Sequence, residues 1–255
     1  MKVLIVGGDR RMIFVYKYLK EKGYVVDTFG LSENDKGDIK TADMIILPVP
    51  VTRDKVNINC PLTNKQIPLD ILKDAGREAK IFGGGKLDLN NYTDYLAKDE
   101  YAIKNAVLTA EGAISYAIDN TEFSLWESRI LVVGYGRLGK VLLDRIKGFS
   151  PHLTVSARSE RDFATLNMLG INHIKTEDIG SLDEQFDIIF NTVDIKLNCK
   201  GNALFIDLSS SGGVADVNSG LKYIKLPGVP GKTAPQTAGK IIAETVISLA
   251  NVKGE

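Results

Sequence analysis

A glycine-rich turn in the middle of the chain constrains the fold more than any other feature. From Ile130 the sequence reads ILVVGYGRLGKVLLDRI, in which an apolar run enters Gly134, Gly136 and Gly139 and a helical pattern leaves them. The first glycine permits a tight turn, the second lets the backbone approach a pyrophosphate, and the third allows the helix to pack closely on the strand. The segment Val132–Gly139 therefore predicts the phosphate-binding turn of a Rossmann domain and a bound dinucleotide.

The residues after the next predicted strand favour one dinucleotide over another. An NAD-specific domain carries Asp or Glu at that point to bind the ribose 2′-hydroxyl. Here the strand LTVSA is followed by Arg158 and Ser159, whose guanidinium and hydroxyl suit a 2′-phosphate. We therefore expect NADP(H), although a shift of register would place Glu160 in the acidic position. The expected cofactor-binding residues are Gly134, Tyr135, Gly136, Arg137, Leu138, Gly139, Ala157, Arg158, Ser159, Asn191, Thr192 and Val193.

Apolar runs alternate along the chain with segments of helical period, which indicates parallel sheets with crossover helices. Strands are expected at Val3–Val6, Val25–Phe29, Met44–Pro48, Lys80–Phe82, Ile130–Val133, Leu153–Ala157, Asp187–Asn191, Ala203–Leu208 and Tyr223–Lys225. The two series predict an α/β protein with two doubly wound domains. The C-terminal one contains the glycine turn and is expected to be an NAD(P)-binding Rossmann domain; the N-terminal one is expected to be doubly wound and Rossmann-like, and the family resemblance described below implies that it is flavodoxin-like.

Apolar residues at helical spacing predict the main helices. They are expected at Arg11–Lys22, at Thr109–Asn120, at Thr237–Val252, and from the glycine turn to about Gly148. We interpret Thr109–Asn120 as a spine helix between the domains, and the last helix as one that returns to the first domain, by analogy with two-domain dehydrogenases. The predicted domains are 1–108 with 235–255, for substrate or partner, and 109–234, for NADP.

Composition excludes several classes of protein. The 255 residues carry a formal net charge of zero, so no basic footprint for nucleic acid or an anionic membrane surface is expected. No apolar run approaches the roughly 18 residues of a membrane span. Cys60 and Cys199 lie far apart and outside any metal-binding spacing, which argues against a disulfide scaffold or a metal site. The chain begins directly with a strand pattern, so we expect no signal peptide and a cytoplasmic location.

Several non-periodic stretches are expected at the carboxyl ends of parallel strands, where α/β proteins build their sites. They are Pro48–Arg53, Leu108–Gly112, Asn191–Asp194, Asp207–Gly213 and Leu226–Pro235. Their density of Pro and Gly predicts shaped loops, and we expect the five to converge on one cleft between the domains. The alternative is a set of ordinary strand-to-helix turns.

Few side chains in these stretches suit catalysis. Glu111, beside Thr109, is a candidate general base, and it can equally cap the spine helix from its first turn. Arg53 and Lys232 can bind a carboxylate substrate, and each can equally be a solvated surface charge.

The only histidines of the chain, His152 and His173, are expected in structural roles on the cofactor domain. A 2-hydroxyacid dehydrogenase is therefore disfavoured, because its chemistry needs a His as proton acceptor. A two-domain NADP dehydrogenase of the shikimate or methylene-folate type would need a catalytic Lys on the first domain. The first-domain lysines considered for that role are not well placed for it: Lys17, Lys20, Lys22, Lys55 and Lys65.

Several motifs, taken in chain order, resemble the family of the dipicolinate synthase A subunit. They are VLIVGGDRR, ILPVP, NAVLTAEG, GYGRLG followed by ARS, and LPGVPGKTAPQTAG. The resemblance spans essentially the whole chain. It implies a flavodoxin-like domain followed by an NAD(P)-binding Rossmann domain. It also implies a hetero-oligomer in which the partner is a flavoprotein-like B subunit; self-association stays open.

The resemblance also implies a reaction, in which dihydrodipicolinate from the lysine pathway is oxidised to pyridine-2,6-dicarboxylate in the mother-cell cytoplasm of a sporulating bacterium. Because an aromatic ring forms, little acid–base help is needed. Glu111 or a water would accept the proton. The dicarboxylate substrate calls for cations and donors, and the candidate catalytic residues are Glu111, Thr109, Lys232, Arg53, Ser209 and Ser210.

The sequence departs from the family pattern in its substrate loops. An Arg-Pro pair is missing before Gly212, Asp194 stands where Pro commonly follows Asn-Thr-Val, Lys232 falls on a variable position, and the first domain is shortened around Asp54–Lys65. Two alternatives therefore stay open. One is a catalytically silent NADP-binding protein that serves a partner, and the other is a diverged two-domain NADP dehydrogenase with another carboxylate substrate.

Overall fold

The computed structural model describes residues 1–181, 186–197, 202–210, 212 and 221–251. They form two α/β units, of which the first comprises Met1–Asn105 together with the chain from Pro230 onward, and the second comprises Ala106–Val229. Within the described parts of the chain, no helix combines the length and the apolar character needed to cross a membrane.

The first unit is built on five parallel strands in the order β2-β1-β3-β4-β5. They are β1 (Lys2–Val6), β2 (Val25–Phe29), β3 (Met44–Ile46), β4 (Lys80–Gly83) and β5 (Tyr92–Asp94). This is the flavodoxin-like order of a doubly wound sheet. The central strands are apolar on both faces, and Leu4, Ile5, Ile45 and Ile46 are completely buried, as expected when helices cover both sides.

Two helices of the first unit pack against each other at close range. They are α1 (Arg10–Glu21) and α6 (Pro235–Asn251). A Cβ added to Gly239 would lie 2.4 Å from the carbonyl oxygen of Arg11, so a larger residue cannot occupy this crossing. The prediction that the C-terminal helix returns to the first domain is therefore confirmed.

The second unit is built on six parallel strands in the order β11-β10-β9-β6-β7-β8. They are β6 (Ile130–Val133), β7 (Leu153–Ala157), β8 (Asn172–Lys175), β9 (Ile188–Asn191), β10 (Leu204–Asp207) and β11 (Lys222–Lys225). Read from β8, this is the 3-2-1-4-5-6 order of a dinucleotide-binding Rossmann sheet, whose strand order reverses between β6 and β9. The expected pair of doubly wound domains is confirmed.

The remaining helices are α2 (Asp99–Asp119), α3 (Arg137–Ile146), α4 (Glu160–Met168) and α5 (Val229–Thr233). Helix α2 begins ten residues before the predicted Thr109, and it contributes residues to both units. The prediction of a shaped loop at Leu108–Gly112 is wrong, because Ala110, Ala113 and Ala117 form a completely buried stripe of small residues in the middle of this helix. Glu111 therefore does not lie in a first turn, and its predicted capping role is wrong as well.

The proline-rich stretch Leu226–Pro235 is more helical than expected. Gly228 turns the chain with φ of 65°, and α5 and α6 follow almost without a break. Pro230 lies in the first turn of α5 and Pro235 begins α6, which are positions where a missing N–H costs no intrahelical hydrogen bond. The predicted loop is thus reduced to the turn before α5.

Candidate functional site

The glycine turn after β6 has the geometry that its sequence predicts. Gly134 adopts φ of 96°, and its N–H donates to the carbonyl oxygen of Ser156 on β7 at 3.1 Å. A Cβ on Gly139 would lie only 1.9 Å from the carbonyl oxygen of Gly134. The third glycine is therefore required, because α3 packs directly on the turn.

Gly136 faces open space. A Cβ built on it meets no heavy atom within 4 Å. It is the N-cap of α3 and supplies no side-chain hydrogen bond to the helix. The first N–H groups of α3 therefore meet no side-chain acceptor from the N-cap, at the end of the helix that carries partial positive charge. This arrangement fits the pyrophosphate of a dinucleotide.

Two buried hydroxyls support the turn from below, and no local sequence pattern singles them out. The Ser156 Oγ, completely buried in β7, accepts a hydrogen bond from Gly134 N at 3.1 Å. It also contacts the Oγ1 of Thr176 at 3.1 Å, and Thr176 donates to the carbonyl oxygen of Ala157 at 3.2 Å. The ends of β6 and β7 are thereby held together.

A pocket of about 450 Å³ lies at the ends of β7 and β8. It is lined by Ala157, Arg158, Glu160, Lys175, Thr176, Glu177, Ile195, Lys196 and Leu197. Ala157 pairs with Lys175 across the two strands, so the side chains of Arg158 and Lys175 start from the same edge of the sheet. Lys175 is not predicted from the sequence because β8 is not: only Ile174 is aliphatic in this edge strand, which leaves no apolar run to recognise.

Arg158 is the first residue after β7, which agrees with the register on which the prediction of NADP(H) depends. Glu160 comes later, in the first turn of α4, although it also lines the pocket. Ser159 is the N-cap of α4: its Oγ accepts from the N–H of Asp162 at 3.1 Å and donates to the carboxylate of Asp162 at 2.7 Å. The hydroxyl hydrogen of Ser159 is thus committed to the helix, which gives no support to its predicted bond with a 2′-phosphate.

The loop after β9 touches the glycine turn. Thr192 donates from Oγ1 to the carbonyl oxygen of Val133 at 2.8 Å. A Cβ on Gly134 would lie 2.4 Å from Val193 Cγ1. Asn191 holds this loop by donating from Nδ2 to the carbonyl oxygen of Val193 at 3.0 Å. The structure therefore brings the predicted residues Asn191, Thr192 and Val193 together with the turn.

A buried carboxylate at the end of β10 organises the next loops. The side chain of Asp207 is completely buried. Its Oδ1 accepts from Asn191 Nδ2 at 3.0 Å and from the Ser209 hydroxyl at 2.6 Å, and its Oδ2 accepts from the Tyr223 hydroxyl at 2.6 Å and from Lys225 Nζ at 3.0 Å. Burial alone would raise the pKa of Asp207, but these hydrogen bonds outweigh it and lower the pKa.

Tyr223 responds in the opposite direction. Burial and the hydrogen bond to Asp207 raise the pKa of Tyr223 to about 12, so it stays a donor at neutral pH. The sequence predicts only Ser209 and Ser210 as site residues here, and the group formed by Asp207, Tyr223 and Lys225 emerges only in the structure. Ser209 is buried and Ser210 is exposed. Ser211 and Gly213 of the predicted loop, and Cys199, lie outside the described residues.

Glu111 is not brought to the glycine turn. Its Oε1 lies 3.6 Å from Nε of Arg145, in the last turn of α3. The turn lies at the other end of that helix, roughly 15 Å away for ten residues. Half of the Glu111 side chain is exposed. Thr109 lies two residues earlier in the interior of α2. Both residues thus lie in the middle of α2, and their catalytic role stays a prediction.

The predicted carboxylate-binding cations belong to the first unit. Arg53 is exposed in the loop after β3 and donates from Nε to Asn59 Oδ1 at 3.3 Å. Lys232 is exposed in α5. Among the histidines, His152 lies exposed before β7, and His173 packs with its ring centroid 5.1 Å from that of Phe163. These histidine environments agree with structural roles.

Similarity to known proteins covers both units. Residues 2–99 match the family model that describes the N-terminal domain of the dipicolinate synthase A subunit. The A subunit of dipicolinate synthase from Bacillus subtilis (strain 168) shares 26% identity over 293 aligned positions, covering 100% of this chain and 98% of the relative. The chain resembles the dipicolinate synthase A subunit throughout its length. The resemblance inferred from the motifs is thereby confirmed.

Two solved structures share this architecture. Dipicolinate synthase A from Bacillus subtilis superposes with a TM-score of 0.84 at 25% identity, covering 98% of this chain and 95% of that one. The dipicolinate synthase A subunit from Bacillus halodurans shares the fold with a TM-score of 0.89 at 24% identity, covering 99% and 98%. Both units of this chain thus have counterparts in these two proteins.

Proposed function

We propose that this chain is the A subunit of a dipicolinate synthase and that it oxidises a dihydrodipicolinate to pyridine-2,6-dicarboxylate with NADP⁺. The observation that carries the proposal is the open glycine turn: Gly136 leaves space for a pyrophosphate beside the N-terminus of α3, and Gly139 lets α3 pack directly on the turn. The full-length similarity to the dipicolinate synthase A subunit supplies the reaction.

The preference for NADP(H) over NAD(H) rests on charge. Arg158 and Lys175 begin at neighbouring strand ends and line one pocket, together with Lys196. A 2′-phosphate placed there would meet three cations. A ribose without that phosphate would leave these cations with only Glu160 and Glu177 as acidic residues in the pocket lining. We therefore assign the adenosine end of the cofactor to this pocket, and the nicotinamide end to the loops after β9 and β10.

When bound, NADP⁺ supplies the hydride acceptor for the reaction. The chain's own task is to hold the two reactants together, since loss of hydride and a proton from a dihydropyridine yields an aromatic ring and needs little acid–base assistance. Arg53 and Lys232 remain our proposed anchors for the two carboxylates. Because Glu111 pairs with Arg145 away from the turn, we assign the proton to solvent water rather than to Glu111.

We further propose that the partner is a flavoprotein-like B subunit, and that the chain acts in the branch that leaves the lysine pathway in the mother-cell cytoplasm of a sporulating bacterium. These assignments rest on the similarity to A subunits of dipicolinate synthase. The B subunit is the component to add when activity is tested.

The test is an assay of the chain with the lysine-pathway synthase product, with and without the B subunit, and with NADP⁺ or NAD⁺. We expect pyridine-2,6-dicarboxylate and NADPH to appear in equal amounts, and faster with NADP⁺ than with NAD⁺. Formation of no dicarboxylate with either cofactor in the presence of the B subunit would reject the proposal.

The position of Glu111 is also compatible with a second candidate function, a catalytically silent NADP-binding subunit. Because this carboxylate pairs with Arg145 rather than facing the turn, the predicted proton acceptor is not at the turn, as would be expected of a subunit that binds NADP without catalysis. That function predicts NADPH binding without turnover. Replacement of Glu111 by Gln should then leave the rate of the A–B complex unchanged. The first proposed function predicts the same result, because water takes the proton there. Turnover itself therefore decides between the two functions.

A further inference from the structure

Lys225 lies at the end of β11 with its charge turned into the protein rather than toward a ligand. Its Nζ is 3.0 Å from Asp207 Oδ2, 3.2 Å from the Oγ of Ser209, and 2.5 Å from the carbonyl oxygen of Ser209. An ammonium has three hydrogens to donate, and here three acceptors surround it. The lysine is therefore committed to holding Asp207 and Ser209 at the end of β10, and it does not serve as a spare cation for a substrate.

Further hydrogen bonds fix Asp207 and Ser209, the two residues that Lys225 contacts. The backbone N–H and the hydroxyl of Ser209 both donate to Asp207 Oδ1, at 3.0 Å and 2.6 Å, and the N–H of Gly212 donates back to the Ser209 Oγ at 3.2 Å. Asp207, Ser209 and the N–H of Gly212 are thus joined by hydrogen bonds. The positive charge of Lys225 compensates the buried carboxylate, without which the end of β10 would carry an isolated charge.

The same carboxylate reaches the glycine turn through one intermediate residue. Asp207 accepts from Asn191, and Asn191 holds Val193, which contacts Gly134 closely. Strands β9 and β10 belong to the half of the sheet that binds the nicotinamide end of a dinucleotide in Rossmann domains. A shift of Lys225 would therefore be transmitted to the nicotinamide side of the site, while the pocket at Arg158 lies on the other half of the sheet.

We propose that Lys225 is a positioning residue, which through Asp207 fixes the nicotinamide side of the dinucleotide site without touching the adenosine side. This inference rests on the proposed dinucleotide-binding function. It predicts that loss of Lys225 weakens the binding of NADPH more than the binding of 2′,5′-ADP, because NADPH spans both ends whereas 2′,5′-ADP carries only the adenosine end with its 2′- and 5′-phosphates.

The experiment measures the dissociation constants of NADPH and 2′,5′-ADP for the full chain and its variants by calorimetry. In Lys225→Met we expect NADPH to bind about tenfold more weakly, because its nicotinamide contacts are misplaced. We expect 2′,5′-ADP to bind within about twofold of the wild-type value. Lys222→Met is the matched control: this lysine begins the same strand and donates from Nζ to the carbonyl oxygen of Asn120 at 2.8 Å, and neither affinity should change.

A second, milder variant keeps the test decisive if Lys225→Met does not fold. Tyr223→Phe removes one hydrogen bond to Asp207 and retains the lysine, and it should shift the same ratio in the same direction by a smaller factor. An unchanged ratio in Tyr223→Phe and in folded Lys225→Met would overturn the inference alone. Failure of the wild-type chain to bind either ligand would instead overturn the proposed function, and the inference with it.

Discussion

In each unit, the first strand of the sheet leads through a glycine turn into a helix. The N-terminus of that helix is capped by a side chain in the first unit and is open in the second. In the first unit, β1 leads through Gly7 and Gly8 to Asp9, whose carboxylate caps α1 by accepting from Arg11 N at 3.0 Å. Added Cβ atoms there would lie 2.7 Å from Cys60 Sγ and 2.3 Å from Met12 Cγ, so the space is filled. In the second unit, the N-cap is Gly136 and the space beside it is open.

The two turns differ in what is available to neutralise the positive end of the helix. The N-terminus of a helix attracts negative charge, and a side-chain carboxylate satisfies it as well as a phosphate does. Asp9 supplies that charge internally in the first unit. The second unit supplies none from its N-cap, and we propose that the dinucleotide supplies it.

The largest expected effect is a loss of stability when the turn of the first unit is disrupted. Asp9→Ala removes the carboxylate partner of Arg11, which is only 7% exposed and whose Nη2 lies 2.8 Å from Asp9 Oδ2. Burial lowers the pKa of Arg11, but the bond to Asp9 raises it above its usual value, so the arginine stays charged. We expect the free energy of unfolding, measured with urea, to fall by about 3 kcal/mol, while NADPH binding to the folded protein stays unchanged.

Asp70→Ala is the control for this loss. Asp70 forms an exposed pair with Lys73, and its removal should cost less than about 0.5 kcal/mol. Equal losses in the two variants would contradict the closed turn of the first unit, and so would weaker NADPH binding by folded Asp9→Ala.

The next prediction converts the second turn into a copy of the first. Gly136→Asp places a carboxylate at the N-cap of α3, where it can bond to the first N–H groups and repel a pyrophosphate. We expect NADPH to bind about a hundredfold more weakly, equivalent to about 2.7 kcal/mol, as calorimetry can measure. Stability should stay within a few tenths of a kcal/mol of the wild type.

Gly148→Asp adds the same charge just beyond the other end of α3, where an added Cβ also meets no heavy atom within 4 Å. It should leave the affinity for NADPH unchanged. If Gly136→Asp binds NADPH like the wild type, the open turn is not the phosphate site.

Residues with a local signal can be predicted from the sequence. The turn glycines and the strands β6 and β7 lie at their predicted positions, because buried parallel strands are continuous apolar runs and the glycine spacing follows from the geometry of the turn. The extent of α2 cannot be predicted in this way, because the small residues that line its buried face, Ala110, Ala113 and Ala117, resemble a loop when their packing partners are unknown.

Contacts that depend on register between distant strands carry no local signal. Lys175 reaches the pocket only because β8 pairs with β7, and Lys225 reaches Asp207 only because β11 pairs with β10. Neither pairing follows from the neighbouring sequence. Conversely, the polar character of Glu111 among small residues suggests catalysis, but its observed partner, Arg145, lies 34 positions along the chain.

A smaller effect sharpens the assignment within the second unit. Arg158→Ala should weaken NADPH binding about tenfold and leave NADH binding unchanged, because only NADPH carries the 2′-phosphate. Lys175→Ala should act in the same direction. Arg161→Ala is the matched control, since Arg161 is an exposed residue in the first turn of α4 and does not line the pocket. Equal losses for NADPH and NADH in Arg158→Ala would contradict the assignment.

Each unit also uses a lysine to hold a loop. Lys65 Nζ in the first unit lies 2.6 Å from Asp35 Oδ1 and also donates to the carbonyl oxygens of Ser32 and Asp35, much as Lys225 holds Asp207 and Ser209 in the second. Burial raises the pKa of Asp35, but the bonds from Lys65 and from the backbone N–H groups of Gly30, Leu31 and Ser32 outweigh it and lower the pKa to about 2.

The smallest expected effect follows from that pKa. A carboxylate whose pKa is lower in the folded than in the unfolded state stabilises the fold above the unfolded value of 3.8, and this contribution is lost as the pH falls through about 2. Asp35→Asn should therefore cost about 1 kcal/mol near neutral pH, allowing for solvent screening. The difference from wild type should shrink as urea unfolding is repeated from pH 4 down to pH 2. Asp70→Asn should show a small difference at every pH, and a difference for Asp35→Asn that is independent of pH would mean that Lys65 does not hold the loop through this charge.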